Sequence, residues 1–443
     1  MIELGNNCKI FTDNVEDSAL QQIYNITFSE EFKNTQIRIM PDVHAGSGIC
    51  IGFTAPVKDF INPEHTGVDI GCSVSAMFLN KILSPDKYEL FEYRIKKEIP
   101  TGPNVYETSQ VKSSEFLKYL NKNMRDLYSK SGNSIKYVQF TSENELEKWL
   151  ERLHMDLGRF WKSLGTLGGG NHFMELDITD EEKPKSAFIV HTGSRNLGQA
   201  VFKYWDKIAK SGHISKDGRR KIIADVKARV TDKKKLKEEI DKAVREYELS
   251  IHPGFLTGDD MTDYLTDVAI CQTYASYNHK MILDKVERIF NKITGGKRVD
   301  LITTRHNYID FESFNPILRK GAVRSYEGEK FLLPFNMRDG IAVCVGKSNP
   351  DWNFSCSHGA GRVMSRSKSK ECLSMEEFRE SMKGIYTTSV CEGTLDESPM
   401  SYKPKEEILK NIEPTAEVLF FMKPVINIKA TEELPKPWIT TKN

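Results

Sequence analysis

The chain has 443 residues, of which 39% are hydrophobic and 28% charged, a composition typical of a globular enzyme and not of a disordered chain. Its 63 basic and 62 acidic residues leave a formal net charge of +1, so any RNA contact would need a local basic patch. Eight cysteines without a CxxC pair exclude a secreted disulfide framework and a zinc ribbon. The N-terminus lacks a signal-peptide pattern and no apolar run approaches about 20 residues, so we expect a cytoplasmic protein without membrane contact.

Strand-like and helical segments alternate along the first half of the chain. The segments QIRIMPDVHAGSG, GICIGFTAPV and VSAMFL are typical of strands joined by glycine-rich loops. KYELFEYRIKKEIP and SSEFLKYLNKNMRDLYSKS have the period of amphipathic helices, and ENELEKWLERLHMDLGRFWKSLG predicts a further one. TLGGGNHFMELDI and SAFIVHTGSR then predict strands that adjoin polar loops.

Residues 200–250 are highly charged and helical in period, which predicts a solvated helical insertion, with RNA contact through its basic face as the alternative. DDMTDYLTDVAICQTYASYNHKMILDKVERIF predicts a long helix with Asp259 or Asp260 as its N-cap. RVDLITTRHN, FLLPFN, GIAVCVG and EVLFFMKPVINIKA predict strands. This mixture favours an α+β or mixed α/β fold with one dominant domain.

One pattern recurs in five segments: an apolar strand adjoins a polar, glycine-rich loop that carries a histidine, aspartate or cysteine. The segments are HTGVDIGCSV, TLGGGNHFME, FIVHTGSR, LITTRHN and SHGAGRVMSR. Strand ends that feed loops gather binding groups on a rigid scaffold. A lone histidine in such a place is more often structural, but the repetition of the context favours a shared site.

Five of these side chains form a mixed oxygen, sulfur and nitrogen ligand set: Asp69, Cys72, His172, His191 and His306. Five ligands exceed what one tetrahedral site needs, whereas two metals that share a bridging thiolate would use them all. Two-metal sites suit phosphoryl chemistry because each ion can neutralise a different oxygen of the displacement. Thiolate also suits zinc or iron, so the ligand types do not by themselves select manganese.

His358 lies in a different setting, HGAGR, where glycines let backbone N–H groups approach phosphate and Arg362 offers a planar fork for phosphate oxygens. A neutral imidazole there can attack an α-phosphate, although the spacing equally allows a metal or core histidine. Asp42 follows the strand QIRIM, where it could fix the tautomer of a catalytic histidine or simply form a turn.

Basic residues also cluster outside the metal set, where ordinary surface charge is the alternative to RNA-backbone contact: Arg319, Lys320, Arg324, Arg366 and Lys368. The predicted RNA contacts are Arg195, Lys320, Arg324, Arg362 and Arg366. Lys429 closes the last apolar strand, so it needs a charged partner or a place at a sheet edge.

Eight segments together resemble the RtcB family of RNA-splicing ligases: MPDVHAGSG, GVDIGCSV, LGGGNHFME, HTGSRNLG, RHN, RKGA, HGAGRVMSR and KPVINIKA. They run in the family's order from about residue 39 to 430. The resemblance implies one α+β domain over 1–443, with mixed β-sheets around a deep metal-containing cleft and the 200–250 insertion inside it. It also implies a GTP- and Mn²⁺-dependent ligase that joins 2′,3′-cyclic phosphate or 3′-phosphate RNA ends to 5′-hydroxyl ends.

In the implied mechanism His358 is guanylylated, the guanylate passes to the RNA 3′-phosphate, and the 5′-hydroxyl then displaces GMP. Asp42 would orient His358, and an archease-like activator is a further implied partner. One Mn²⁺ would be held by Asp69, Cys72 and His172, and the other by Cys72, His191 and His306. The implied nucleotide contacts are Asn171, His172, Phe173, Met174, Glu175, His306, Asn307, Pro334, Asn336, Met337, His358, Gly359, Ala360, Gly361, Tyr402 and Lys429.

One segment departs from the family pattern. The family often has PGSM followed by a serine that meets guanine, whereas this chain has PFNMRDGI with Ile341 at the place of that serine. Backbone N–H groups and Asn336 could still position phosphate, but the guanine preference is in question.

Two other functions fit part of the pattern. A dinuclear metal-dependent phosphoesterase acting on RNA or nucleotides would use the same metals to activate water, but it needs no nucleotide-accepting histidine. A nucleotide-binding regulatory protein without turnover would not need five metal ligands.

Overall fold

Two β-sheets carry the strand ends that the sequence singles out, and helices cover their outer faces. The computed structural model describes residues 1–211, 216–230, 235–249, 254–312 and 315–430. The strands are β1 (Ile2–Leu4), β2 (Cys8–Ile10), β3 (Ile37–His44), β4 (Ile51–Pro56), β5 (Phe60–Ile61), β6 (Ser73–Leu79), β7 (Phe173–Thr179), β8 (Ser186–Thr192), β9 (Leu256–Thr257), β10 (Arg298–Arg305), β11 (Asn307–Asp310), β12 (Ile317–Lys320), β13 (Ala322–Arg324), β14 (Lys330–Asn336), β15 (Gly340–Gly346), β16 (Ser355–Ser357) and β17 (Ala416–Lys429).

Helices connect these strands and fill the space around them. They are α1 (Asp17–Thr27), α2 (Pro63–Thr66), α3 (Tyr88–Glu98), α4 (Ser113–Lys130), α5 (Glu143–Arg152), α6 (Leu157–Ser163), α7 (Arg195–Ser211), α8 (Lys216–Arg229), α9 (Leu236–Leu249), α10 (Gly258–Thr294), α11 (Arg366–Cys372), α12 (Met375–Ser381) and α13 (Lys405–Ile412). In the described ranges, no helix combines the length and the apolar character needed to cross a membrane.

The larger sheet has seven strands in the order β10-β6-β8-β7-β17-β15-β14, and each neighbouring pair is antiparallel. Its two edge strands approach each other where the Leu332 N–H donates to Thr304 Oγ1 at 2.9 Å, so the sheet curls toward closure. Alternation along the strands gives two apolar faces. Val74, Ile189 and Ile341 pack on the inner face, whereas the outer face packs against α3 and α10.

The second sheet has six strands in the order β1-β2-β3-β4-β12-β11, with β2 and β3 parallel and the other neighbours antiparallel. A two-stranded ribbon of β13 and β16 continues from it toward the larger sheet. The apolar side chains of this sheet pack against helices α4 to α7 and the first half of α10.

The longest helix, α10, joins the two halves of the molecule. Its 37 residues span about 55 Å at 1.5 Å per residue. Tyr264 and Tyr274 in its first half belong to the core beside the six-stranded sheet, whereas Val286 and Phe290 belong to the core behind the seven-stranded sheet. Because one helix is buried in both cores, the chain forms a single α+β domain, as predicted.

Two predicted helix boundaries are wrong. The segment predicted as one helix is divided into α5 and α6, because His154 has a positive φ of 55° and Asp156 caps the second helix through the Arg159 N–H. The long helix begins at Gly258, so Thr257 and not Asp259 or Asp260 is its N-cap residue. Thr257 is the extended residue before α10 because β9 runs directly into the helix. Asp259 and Asp260 lie in the first turn of α10, near the positive end of the helix dipole.

Residues 200–250 divide between a core helix and two charged helices. Val201 and Trp205 of α7 are buried beside the six-stranded sheet. α8 and α9 carry most of the charge, and Lys221 of α8 pairs with Asp259 and Asp263 at the start of α10. Residues 212–215, 231–234 and 250 of the predicted insertion lie outside the described residues.

Substituting Asp310 by alanine is expected to lower the free energy of unfolding by about 3 kcal/mol. Arg319 is fully buried and its Nη1 donates to Asp310 Oδ2 at 2.6 Å, so the substitution leaves a buried guanidinium without its nearest counter-charge. Urea unfolding followed by circular dichroism measures the change. The control is Glu312→Ala, which breaks a partly exposed pair with Arg324 and is expected to cost less than about 1 kcal/mol. Equal losses would contradict this account.

Candidate active site

Four of the five strand ends predicted to form a site meet at one end of the seven-stranded sheet. β10, β6, β8 and β7 are consecutive in that sheet, and their antiparallel pairing brings the starts of β6 and β7 beside the ends of β8 and β10. Asp69 and Cys72 precede β6, His172 precedes β7, His191 lies near the end of β8 and His306 follows β10. The sheet therefore gathers residues that are up to 237 positions apart in the chain.

The five predicted metal ligands form a continuous series of close contacts. His172 Nε2 lies 2.8 Å from Asp69 Oδ2 and 3.6 Å from Cys72 Sγ. Cys72 Sγ lies 3.1 Å from His191 Nε2, which lies 3.2 Å from His306 Nε2. Cys72 is therefore in the middle of the series, with one predicted ligand pair on each side.

The electrostatics of this cluster depend on burial. Burial raises the pKa of the Cys72 thiol well above its usual value, and the neighbouring Asp69 carboxylate adds to the effect. Burial also lowers the pKa values of His191 and His306 well below the usual range, and the repulsion that a second protonated imidazole would meet acts in the same direction. For Asp69, burial would raise the pKa, but His172 more than offsets it and the pKa falls to about 2.

The cluster fits a divalent cation. Cys72, His172 and His191 are buried, and their ligand atoms all lie within 4.8 Å of one another. The Nε2 atoms of His191 and His306 face each other at 3.2 Å on neutral rings, and a divalent cation would be bound by these nitrogens in their unprotonated form. His172 Nδ1 donates to the Leu167 carbonyl at 3.0 Å, which leaves its Nε2 as the ligand atom.

His358 is held by Asp42 through three hydrogen bonds to one carboxylate oxygen. Asp42 Oδ2 accepts from the His358 ring Nδ1 at 2.6 Å, from the His358 backbone N–H at 3.0 Å and from the Gly359 N–H at 3.1 Å. Asp42 is fully buried. Because the carboxylate accepts a hydrogen bond from Nδ1–H, the lone pair of a neutral His358 is on Nε2.

The glycines of HGAGR let the loop fold tightly around Asp42. Gly361 has a φ of +73°, and a Cβ added there would lie 2.2 Å from the Asp42 carbonyl oxygen. Both the backbone conformation and the space therefore require glycine at this position. The strand that ends before His358 is β16, and its partner β13 begins at Ala322, whose N–H donates to the His306 carbonyl at 3.2 Å. The rings of His306 and His358 have centroids 5.1 Å apart.

A cavity of about 530 Å³ opens beside His358 and the metal cluster. Most of the predicted nucleotide contacts line it: Asn171, Phe173, Glu175, His306, Pro334, Asn336, Met337, His358, Gly359, Ala360, Gly361, Tyr402 and Lys429. Three others are placed differently. Met174 packs in the core on the opposite face of the sheet, Asn307 accepts from the Gly321 N–H, and His172 is turned toward Asp69 and Cys72.

The segment PFNMRDGI, which differs from the family pattern, forms a tight turn at the cavity wall. Asn336 accepts from the backbone N–H groups of Arg338 and Asp339 and donates to the Asp339 carboxylate at 2.7 Å. Ile341 is fully buried on the inner face of the seven-stranded sheet. The side chain that replaces the family's serine therefore contributes to the core.

The five predicted RNA-binding residues divide into two groups. Arg362 and Arg366 line the cavity, where they also contact the acids of the segment Asp396–Glu397. The other three contact the protein elsewhere. Arg195 donates to Gly102 and Thr166, Lys320 donates to the carbonyls of Ser47 and Glu64, and Arg324 pairs with Glu329 beside a second, smaller cavity.

Several cavity residues were not predicted, and two of them, His44 and Glu397, bond to predicted site residues. His44 shares the segment MPDVHAG with Asp42, and its Nδ1 donates to the Asp42 carbonyl at 2.9 Å. Burial lowers the pKa of His44 to about 4. Glu397 is buried, and the available signal was Lys429, whose place in an apolar strand predicted either a charged partner or a sheet edge.

The family model for tRNA-splicing ligase RtcB matches residues 22–430. The chain is 28% identical to the RNA-splicing ligase RtcB of Escherichia coli K12 over 432 residues, which cover 94% of this chain and 95% of that protein. It is 25% identical to the tRNA-splicing ligase RtcB of Archaeoglobus fulgidus, over 89% of this chain and 87% of that protein. It is also 25% identical to the RNA-splicing ligase RtcB of Mycobacterium tuberculosis, over 84% of this chain and 91% of that protein. Because the family model matches nearly the whole length, the chain belongs to the RtcB family and is an RNA ligase.

Proposed function

We propose that this chain, an RtcB-family ligase for 3′-phosphate and 5′-hydroxyl RNA ends, activates the 3′ end with GTP through a covalent adduct on His358. The observation that carries the proposal is the contact of Asp42 with His358. It leaves an unprotonated Nε2 on a ring that lines the cavity and lies beside His306. A histidine oriented in this way has the lone pair that a phosphoramidate bond requires.

In the first step, Nε2 of His358 attacks the α-phosphorus of GTP. The nitrogen–phosphorus bond forms as the bond from the α-phosphorus to the oxygen bridging to the β-phosphate breaks, and pyrophosphate leaves. Asp42 stabilises the positive charge that develops on the ring, because its carboxylate is buried and already bonded to Nδ1. No oxidant or further co-reactant is needed.

In the next steps the nucleotide passes to RNA. An oxygen of the RNA 3′-phosphate attacks the same phosphorus, the nitrogen–phosphorus bond breaks and His358 is released. The 5′-hydroxyl of the second RNA end then attacks the RNA phosphorus, a phosphodiester forms, GMP leaves and the hydroxyl proton passes to solvent. A 2′,3′-cyclic phosphate end first takes up water and opens to the 3′-phosphate.

As the resemblance implies, two Mn²⁺ ions would be held by this ligand series, one by Asp69, Cys72 and His172 and the other by Cys72, His191 and His306. When bound, they would supply positive charge that neutralises phosphate oxygens. Arg362 and Arg366 add cationic side chains to the same cavity, and RNA is the polyanion that they would contact. An archease-like activator remains a prediction.

His358 also separates the proposal from the dinuclear phosphoesterase. Such a hydrolase would use the cluster of Asp69 to His306 but would have no use for a histidine fixed by three hydrogen bonds to a buried carboxylate. The ligase mechanism requires that arrangement, because its nucleophile must present one defined ring nitrogen.

The experiment is an incubation of the protein with Mn²⁺ and GTP labelled on the α-phosphate or on the γ-phosphate. We expect a protein-bound label from the α-phosphate alone, labile to acid and stable to alkali as a phosphoramidate is. We also expect chase with 3′-phosphate RNA to move the label to RNA. A label that appears equally from the γ-phosphate, or one that RNA never removes, would rule out this mechanism.

Replacing Asp42 with asparagine is expected to slow adduct formation by about 10²- to 10³-fold. The amide can donate to Nδ1, which would move the ring proton to Nε2 and remove the nucleophilic lone pair. Single-turnover labelling with α-labelled GTP measures the rate. The matched control is Glu16→Gln, which neutralises another acid of the cavity wall and is expected to retain the wild-type rate. Equal rates for Asp42→Asn and the wild type would contradict the orienting role.

A further inference from the structure

One buried carboxylate connects the cationic side chains of the cavity wall. Glu397 ends the short 3₁₀ helix Glu392–Glu397, is only 3% exposed and lines the cavity. Its Oε2 accepts from Lys429 Nζ at 2.7 Å and from the Tyr402 hydroxyl at 2.9 Å. Its Oε1 lies 2.6 Å from Arg366 Nη1 and 3.5 Å from Arg362 Nη1. Four side chains from three segments of the chain therefore share one acid.

The charges explain why the acid is needed there. Three cationic groups surround one carboxylate that is removed from water, so Glu397 is ionised. Burial alone would raise its pKa, but Lys429 and then Arg366 more than offset burial and lower the pKa to about 2. Without Glu397, Lys429 would be a buried ammonium without its counter-charge.

Glu397 also limits where the Lys429 ammonium can lie. Lys429 Nζ is 5.4 Å from the centre of the Phe173 ring, and both side chains line the cavity. An ammonium has three N–H donors and no acceptor. Glu397 takes one donor, which leaves two for a ligand in the cavity.

We propose that Glu397 is a positioning residue that fixes Lys429 and Tyr402 for the purine base of the nucleotide, and so favours a base with a carbonyl at its 6-position. This inference rests on the proposed function, which places a nucleotide in this cavity. The Lys429 ammonium, fixed in position, can donate a hydrogen bond to the 6-carbonyl of guanine or hypoxanthine. It cannot bond to the 6-amino group of adenine, because both groups are donors. A site built for one such hydrogen bond discriminates strongly against a base that cannot make it.

The test measures binding alone, in a His358→Ala background with Mn²⁺, so that no adduct forms. GTP, ITP and ATP are compared by equilibrium dialysis. We expect the background protein to prefer GTP and ITP to ATP. Adding Glu397→Ala is expected to reduce that preference about tenfold, by weakening GTP and ITP binding while ATP binding changes little.

Two further variants separate positioning from folding. Glu397→Gln keeps the size and one oxygen acceptor, so we expect it to retain the fold and to lose part of the preference. Glu392→Ala, on the exposed start of the same 3₁₀ helix, is the matched control and is expected to bind all three nucleotides as the background protein does. A preference for GTP over ATP that survives in both Glu397 variants would overturn the proposal.

A double-mutant cycle tests whether Glu397 acts through Lys429. We expect Glu397→Ala combined with Lys429→Met to lower the GTP preference no further than Lys429→Met alone, because the two residues form one unit. If the double variant lost GTP preference by the product of the two single losses, the residues would act independently and the proposal would be overturned. If the wild type forms no adduct but the Glu397 variants lose the preference for GTP over ATP, the proposed function fails and this inference stands. If the adduct forms but the Glu397 variants keep that preference, the proposed function stands and this inference fails.

Discussion

Replacing His358 with alanine is expected to abolish both the covalent nucleotide adduct and RNA ligation, with a loss of at least about 10⁴-fold in the rate of adduct formation. The substitution replaces the imidazole with a methyl group, so the nitrogen that forms the bond to phosphorus is lost. Water in its place could only hydrolyse the nucleotide and could not form a covalent adduct with the protein. The substitution leaves the metal cluster and the buried Asp42 in place. Labelling with α-labelled GTP followed by denaturing electrophoresis measures the adduct, and joining of a labelled RNA pair measures ligation.

His44 provides the matched control for this experiment. It is the other histidine close to Asp42, it lines the same cavity and its Nδ1 donates to the Asp42 carbonyl. We expect His44→Ala to keep forming the adduct and His358→Ala to keep its bound metal. If the adduct persisted in His358→Ala and disappeared in His44→Ala, the nucleophile would be His44 and not His358.

The proximity of the five proposed metal ligands could be predicted from the sequence because each of these residues has a local signal. Asp69, Cys72, His172, His191 and His306 each adjoin an apolar strand and a polar or glycine-rich loop, and antiparallel pairing brings such ends together. The association of Asp42 with His358 came from the family resemblance. Spacing alone could not supply it, because the two residues are 316 positions apart, with Asp42 in β3 and His358 in the loop after β16.

The partners of charged residues could not be predicted in the same way. Lys320 is a plausible phosphate contact in the sequence, yet its ammonium donates to the carbonyls of Ser47 and Glu64, 273 and 256 positions away. Glu397 likewise receives its donors from distant segments. Whether a lysine or a glutamate faces solvent, a ligand or an ion-pair partner depends on tertiary packing, which leaves no period or motif in the sequence.

Helix length was predicted well where one face stayed buried and poorly where the backbone changed direction. The α5 and α6 helices share an amphipathic period, so the apolar pattern continues across the break at His154. Only the positive φ of that residue divides them, and a positive φ at a residue other than glycine has no reliable sequence signal. The curl that brings β10 toward β14 is a comparable case, because it depends on twist accumulated over seven strands.

Replacing Cys72 with alanine is expected to release both metal ions, lowering affinity for each by at least about 100-fold, and to abolish ligation. Cys72 Sγ is the only ligand atom common to both halves of the proposed site, 3.6 Å from His172 Nε2 and 3.1 Å from His191 Nε2. Manganese content after dialysis, measured by mass spectrometry, is expected to fall from about two ions per chain to nearly none.

Asp69→Ala provides the comparison that tests sharing, because Asp69 contacts the His172 side of the series alone. His191 and His306 remain together 3.2 Å apart in that variant, with Cys72 beside them. We therefore expect Asp69→Ala to retain about one ion per chain where Cys72→Ala retains none. If both variants lost the same amount of manganese, the thiolate would not be a bridge, and two ions could not be assigned to these five side chains.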